Sequence, residues 1–333
     1  MRIGVLTSGG DAPGLNIAVY SFVKLAERKH ELFAVLHGWE GFIDGSIKRV
    51  EAIDLLPYIS MGGTALKTSR RNVFDNEDDA RRLVEAINNY GLDCVVAIGG
   101  DGSLKASYKA TELGIRVIHI PKTIDNDVFG TDFTIGFDSA VNAAVNVTES
   151  FKTTLMSHER IGVVEVMGRE AGWVALHTGL ATMADATLIP EYPLTMDFIV
   201  SKLIEAYKVK HYALVVMAEG IKVSDGMITA NKHPTPNGIG YSMAELIEKL
   251  SGVETRAVSP GHSIRGVQPS EFDRVLAVNY ATKAYEALDN ELCNVMVNYS
   301  GSRFGYVPIH EVVGRNKLVN GMWLKLYEEM WVN

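Results

Sequence analysis

The chain has 333 residues, 47% hydrophobic and 22% charged, with a net charge of −8 and a pI near 5.6. That length accommodates one large α/β domain or two lobes with an ample core. The acidic balance argues against a nucleic acid or an anionic membrane as partner, though not against small anions held by local arginine clusters.

The start MRIGVLTSGG has neither the basic leader nor the long apolar core of a signal peptide, which points to the cytoplasm. No apolar run approaches the roughly 20 residues needed to span a bilayer. Residues 2–6 read as a strand, "TSGGDAPG" at 7–14 as the loop after it, and 15–28 as a helix. A strand is expected over 32–36, a helix over 79–90, and a strand over 94–98 that runs into "GGDGS" at 99–103. A strand at 116–120 then feeds "IPKTIDNDVFG" at 120–130, followed by a helix over 141–151. Further strands are expected over 161–166, 212–217 and 295–298, and the polar stretch 223–240, rich in Gly, Asn and Pro, as a surface excursion. Continuous apolarity in these runs suits parallel strands covered on both faces. Their alternation with helices predicts βαβ units in a doubly wound α/β architecture. Cys94 and Cys293 form no metal or disulfide pattern and are expected to be packed core thiols.

In open α/β sheets, ligands bind beyond the carboxyl ends of the strands. Three polar, glycine-bearing loops fall at such ends: 7–14, 99–103 and 120–130. Glycine removes the side chain that would keep a phosphate off the backbone amides, and helix N-termini favour anions. Asp101, set between glycines, suits Mg²⁺, which takes carboxylate and phosphate oxygens. Neither glycine loop matches the dinucleotide fingerprint or the P-loop. Turn chemistry explains Asn126 in the third loop but explains Asp125 and Asp127 together poorly.

The words "GVLTSGGDAPGLN", "GGT" at 62–64, "AIGGDGS", "PKTIDNDVFGTDFTIGFDSA", "ERIGVVEVMGREAG", "AEG" at 218–220 and "ETRAVSPGHSIRG" occur here in order. Together they resemble the 6-phosphofructokinase family of bacterial type, over nearly the whole chain to about residue 285. The resemblance implies two doubly wound lobes with largely parallel sheets facing a central cleft. Residues 1–136 plus about 264–310 would form the larger, donor-binding lobe; 137–263 plus about 311–333 would form the smaller, sugar-phosphate-binding lobe. It further implies phosphorylation of fructose 6-phosphate at its 1-hydroxyl to fructose 1,6-bisphosphate, a step of glycolysis, with Mg²⁺.

An alcohol is a weak nucleophile, so a positioned carboxylate must take its proton as the O–P bond forms. By motif position that base resembles Asp125, with Asp127 holding the sugar or orienting metal-bound water and Thr123 donating to the phosphoryl group. The cations matched to the transition state are Arg70, followed by Arg71, and Arg169; the Gly10 amide would approach the transferred phosphate. Donor binding further matches Gly100, Asp101 as the metal carboxylate, Gly102, Ser103 and Lys122. The sugar phosphate is matched by Arg160, Arg256, His262 and Arg265, with Met167, Gly168 and Glu219 against the sugar. In the family, the cations equivalent to Arg160 and Arg256 come from a neighbouring subunit, which implies a homotetramer or homodimer.

Two departures stand out. Ile264 and Val267 replace a polar residue and a glycine of the usual pattern, which bears on the range of sugar phosphates accepted. The donor signature is mixed, because Gly102 is the mark of ATP users and Lys122 that of pyrophosphate users. Gly102 leaves room for a nucleoside where an Asp would crowd it, and Trp39 falls where an aromatic often borders adenine, so ATP is favoured and pyrophosphate is the alternative. Lys24, Lys152, Lys208 and Lys210 fall near positions where bacterial relatives bind a regulatory nucleotide, but Tyr20 replaces an expected Arg and the lysines suit a solvated face, so weak or absent control by ADP and phosphoenolpyruvate is expected. A sugar-phosphate sensor without chemistry is a remoter alternative.

Overall fold

A computed structural model describes residues 1–231 and 238–332. In chain order the strands are β1 (Arg2–Ser8), β2 (Glu31–Val35), β3 (Ile47–Arg49), β4 (Cys94–Gly99), β5 (Val117–Pro121), β6 (Ile161–Val166) and β7 (Ala186–Leu188). They continue with β8 (Leu194–Thr195), β9 (Ala213–Ala218), β10 (Ile221–Ser224), β11 (Met227–Ala230), β12 (Thr255–Val258), β13 (Val295–Ser300) and β14 (Arg303–Pro308). The chain divides into two compact units, one of Met1–Ser139 with Arg265–Lys317, the other of Ala140–Ile264 with Leu318–Asn333.

The first unit is built on a sheet in the order β14-β13-β5-β4-β1-β2-β3. Strands β13, β5, β4, β1 and β2 run parallel, and an antiparallel strand closes each edge. Successive residues of the apolar runs serve opposite faces. Ile3, Val5, Val96, Ile98, Ile118 and Ile120 join one core, while Leu6, Val95, Ala97 and Val117 join the other. Each such side chain taken fully out of water contributes about 1.5–3 kcal/mol, so a run apolar at every position is stable only when both faces are covered. The helices Leu15–Ala26 and Glu271–Asp289 pack on each other over the first core.

The second unit carries a parallel sheet, β12-β6-β9-β7, and a small antiparallel sheet, β10-β11-β8. Strands β6 and β9 are buried along their whole length. The stretch expected as a surface excursion is partly a hairpin, with β10 paired to β11 and Ile228 buried beneath it; residues 232–237 lie outside the described residues. Among the described residues no helix is long and apolar enough to cross a membrane. Cys94 is buried, and desolvation pushes its thiol up to about 12. Cys293 is only half-buried, so it is not the packed core thiol expected.

Candidate active site

In the first unit, the loops after β1, β4 and β5 meet because their strands are neighbours in the sheet. Lys122 N donates to Gly99 O at 2.9 Å, and a Cβ at Gly100 would press on Thr123. A Cβ at Gly9, itself at φ +81°, would lie 3.2 Å from Ser103 Oγ. The glycines therefore let three backbones approach where side chains would hold them apart. Gly9 is further tied to the 68–69 segment, since Thr68 Oγ1 donates to Gly9 O and Gly9 N donates to Ser69 O.

The helix Asp101–Glu112 begins at this junction, capped by Gly100. Its first-turn N–H groups and macrodipole favour an anion there. Ser103 Oγ is buried at that helix start with no hydrogen-bond partner. Asp101 pairs with Lys105 at 2.7 Å, a partner on the exposed helix face that can exchange for another cation. Gly102 is exposed, and a Cβ there would meet nothing within 4 Å. Among the described residues no three His, Cys, Asp or Glu side chains converge as a metal cage. A single carboxylate suits Mg²⁺ only in the mode where phosphate oxygens and water complete the shell, and Asp101 fits that mode.

The loop 121–134 is held from within. Asn126 sits in the left-handed region at φ +53°, between the two aspartates. Its Oδ1 accepts from Thr134 N at 3.1 Å, and its Nδ2 donates to Asp132 O at 3.2 Å. Thr123 Oγ1 accepts from Asp125 N at 3.1 Å, which leaves its O–H available as a donor. Asp125 is 3% exposed; Asp127 is half-buried.

Lys122, expected to reach a donor, is 1% exposed, and its ammonium donates to the carbonyls of Ser8 and Gly10. It ties the first loop to the third. His119, which the motifs did not point to, does the same for the second. Its Nε2 lies 3.0 Å from Gly99 O, and its Nδ1 accepts from Ser107 Oγ at 2.9 Å. Burial pulls this imidazole down to about 4, so it is neutral with the proton on Nε2.

Of the two basic neighbours, Arg71 is engaged with Glu40 at 3.1 Å and Asp79 at 2.6 Å, whereas Arg70 is exposed and carries no such pair among the described residues. Arg70 is therefore the cation available to a ligand. Arg265 belongs to the first unit and packs against the first loop. It donates to Asp11 O at 3.1 Å, its Nε is buried without a partner, and a Cβ at Gly10 would collide with its guanidinium. Trp39 does not border open space. It is 2% exposed in the core against Phe42 and Phe74, so the aromatic support for an adenine site falls away.

In the second unit, Arg169 and Glu219 stand at the ends of the paired strands β6 and β9. Glu219 Oε1 accepts from the backbone N–H groups of Gly168 and Arg169, at 3.3 and 3.0 Å. Arg169 is exposed at φ +51°, and a Cβ at Gly168 would strike Ala171 O. Glu191, absent from the motif reading, supports the same loop by accepting from Gly172 N and Val319 N. Arg160 and Arg256 share one carboxylate, Glu254, with Arg160 Nε at 2.8 Å; both arginines hold its carboxyl below the usual range. Met167 is half-buried and His262 exposed. Ile264 is fully buried, which gives the departure there a packing role.

Of the regulatory candidates, Lys24 lies on Tyr20, Lys152 donates to Thr182 O and Lys210 pairs with Asp185.

The Phosphofructokinase family model matches residues 2–288. A pyrophosphate–fructose 6-phosphate 1-phosphotransferase of Thermoproteus tenax is 59% identical over 332 residues, covering 99% of this chain and 98% of that one. The ATP-dependent 6-phosphofructokinase 3 of Bacteroides thetaiotaomicron is 37% identical over 328 residues, covering 96% of this chain and 95% of that one. The solved structure of phosphofructokinase from Saccharomyces cerevisiae superimposes with a TM-score of 0.81 at 28% identity, covering 94% of this chain. The present chain spans 45% of that yeast chain. With a family match over most of its length and relatives aligned end to end, the chain belongs to the phosphofructokinase family.

Proposed function

We propose that this protein transfers a phosphoryl group to the 1-hydroxyl of fructose 6-phosphate, with pyrophosphate as donor. The observation that carries the reading is the junction of three glycine-bearing loops around Thr123 and Asp125 at the carboxyl ends of β1, β4 and β5. Asp125 takes the alcohol proton as the O–P bond forms and the donor's bridging P–O bond breaks, releasing orthophosphate, and Thr123 uses its available O–H on the phosphoryl oxygens. The Gly10 amide and Arg70 offset the charge spread over those oxygens. Ser103 Oγ and the first turn of its helix, with Gly100 and Gly102, take the phosphate chain, and Lys122 holds Gly10 in place for it. Asp101 would hold Mg²⁺ together with the donor's oxygens, where the ion neutralises phosphate charge. On this reading the first unit binds the donor and the second the sugar phosphate.

Arg160 and Arg256 supply the cations for the sugar phosphate, with His262 as a further polar contact and Met167, Gly168 and Glu219 against the sugar. The two arginines act across a subunit interface of a homo-oligomer, a role that suits the exposed place of Arg256 on the edge strand β12; Arg160, half-buried, lies beside it at the start of β6. Arg265 braces the first loop.

For the donor, the Thermoproteus tenax relative weighs most, since relatives bearing either donor's name stand at the same 37%. ATP is the second reading, favoured by the open space at Gly102. Initial rates with fructose 6-phosphate, Mg²⁺ and either pyrophosphate or ATP test both. A faster ATP rate would overturn the donor assignment, and no turnover with either would overturn the function.

A further inference from the structure

The segment after the family match delivers one side chain into the loop that carries Asp125. Asn316 forms an antiparallel bridge with Val128, and Lys317 N donates to Asp127 O at 2.8 Å. Lys317 Nζ then donates to Asn126 Oδ1 at 2.9 Å and to the carbonyls of Thr131 and Asp132, each at 2.8 Å. An ammonium has three N–H donors, and these three oxygens match them. All three belong to the 121–134 loop, in which the left-handed Asn126 stands between the two aspartates. A left-handed non-glycine residue persists where its surroundings over-determine it. Lys317 is part of that over-determination, pinning Asn126 and the 131–132 segment of the loop with one charged group.

We propose that Lys317 is a positioning residue for phosphoryl transfer, its side chain and backbone N–H fixing the 125–127 turn so that Asp125 is oriented to take the sugar's proton. This rests on Asp125 being the base. Burial pulls the Lys317 amine from its ordinary 10.5 down to about 7, while Asp132 and Asp127, the carboxylates facing it, favour the charged form. Arg315, the nearest cation on its own segment, is turned onto the Phe129 ring. As pH rises through that value one N–H is lost, and one of the three oxygens faces a lone pair instead of a donor. The clamp is complete below about pH 7 and weakens above it.

The test uses the full chain as wild type, Lys317→Met, Lys317→Arg and Asp125→Ser, with kcat and KM for fructose 6-phosphate measured across about pH 6 to 9. Misplacement of a catalytic group by about 1 Å costs up to 10²-fold, so Lys317→Met is expected to lower kcat about 10- to 100-fold with KM within about threefold. The wild-type decline in kcat above pH 7 should vanish in Lys317→Arg, whose guanidinium does not titrate there, while that variant keeps kcat within about fivefold. A Lys317→Met kcat within about twofold of wild type, or an unchanged alkaline decline in Lys317→Arg, overturns the proposal. If Lys317→Met does not fold, the Lys317→Arg profile decides alone. Normal turnover in Asp125→Ser would instead sink the assignment of the base; a dead Asp125→Ser beside a normal Lys317→Met sinks only the positioning role.

Discussion

The 121–134 loop of the first unit and the strand edge that bears Arg160 and Arg256 in the second handle charge in opposite ways. In the loop, Asp125 is buried, Asn126 has its amide oxygen and nitrogen both engaged, and Lys317 closes the turn with three hydrogen bonds. At the strand edge Arg256 is exposed and Arg160 half-buried, and the two share the exposed carboxylate of Glu254, a partner a phosphate can replace. Exposed ion pairs are worth little in water, so exchanging one for a dianionic ligand is easy. A proton acceptor, by contrast, must hold its orientation through the reaction. On the proposed function, chemistry is placed where structure is over-determined, and recognition where it is readily released.

The comparison breaks most directly at Asp125. Asp125→Ser is expected to lower kcat at least about 10²-fold, the scale of a lost general base, with a smaller change in KM. Steady-state kinetics that found near-normal kcat would remove the loop from the chemistry.

Asp273 sharpens the same contrast from the side of stability. Its carboxylate is fully buried and accepts from Gly136 N at 2.9 Å, Ser139 N at 2.8 Å and Ser139 Oγ at 2.5 Å, capping the helix Phe137–His158 from a distance. Asp273→Ala strands those donors and is expected to cost about 2–4 kcal/mol in chemical denaturation. Burial raises this carboxyl from 3.8 to about 6, so between those values the folded protein holds a proton that the unfolded chain has released. Its contribution to stability therefore falls as pH rises from about 4 to 6, and the alanine variant should lack that slope. A variant as stable as wild type, with the same slope, would deny the cap.

At the exposed edge the effect is smaller and of another kind. Arg256→Ala should raise KM for fructose 6-phosphate about tenfold with little change in kcat, as expected for one charge-assisted contact among several. An unchanged KM would take Arg256 out of the sugar-phosphate pocket.

The contrast also tracks what the sequence discloses. The long parallel strands were legible because nearly every position is apolar, His119 in β5 and Glu165 in β6 aside, and β4, β5, β6 and β9 are buried without a break. β3, β7, β8 and β12 are two to four residues long, too short for any periodicity to register, and exist because neighbouring strands supply their hydrogen bonds. Motif words located the loops, but not which side chains within them are committed to structure. Arg70 and Arg71 are indistinguishable as letters; they differ because Glu40 and Asp79 fold beside the second. Lys122 reads as a ligand-facing cation until its burial against two carbonyls is seen. Lys317 was invisible, since its three acceptors lie 185 to 191 residues away and nothing in "GRNKLVN" marks it.

Gly102 offers the finest division between structure and recognition. A Cβ there meets nothing within 4 Å, so the protein itself does not require glycine for space. The residue lies in the first turn of the helix Asp101–Glu112, where an added carboxylate is favoured by the macrodipole and a glycine costs up to about 1 kcal/mol relative to other residues. Gly102→Asp is therefore expected to leave thermal stability unchanged or slightly raised. Any glycine requirement must then come from the donor, through the bulk and charge of whatever lies beside that turn. The variant should lose ATP-driven turnover by a larger factor than pyrophosphate-driven turnover, because only the nucleotide carries a further phosphate and nucleoside to be crowded. Equal losses with both donors would mean that position 102 does not discriminate between them, and the donor choice would then have to be sought in the loop that Lys122 ties down.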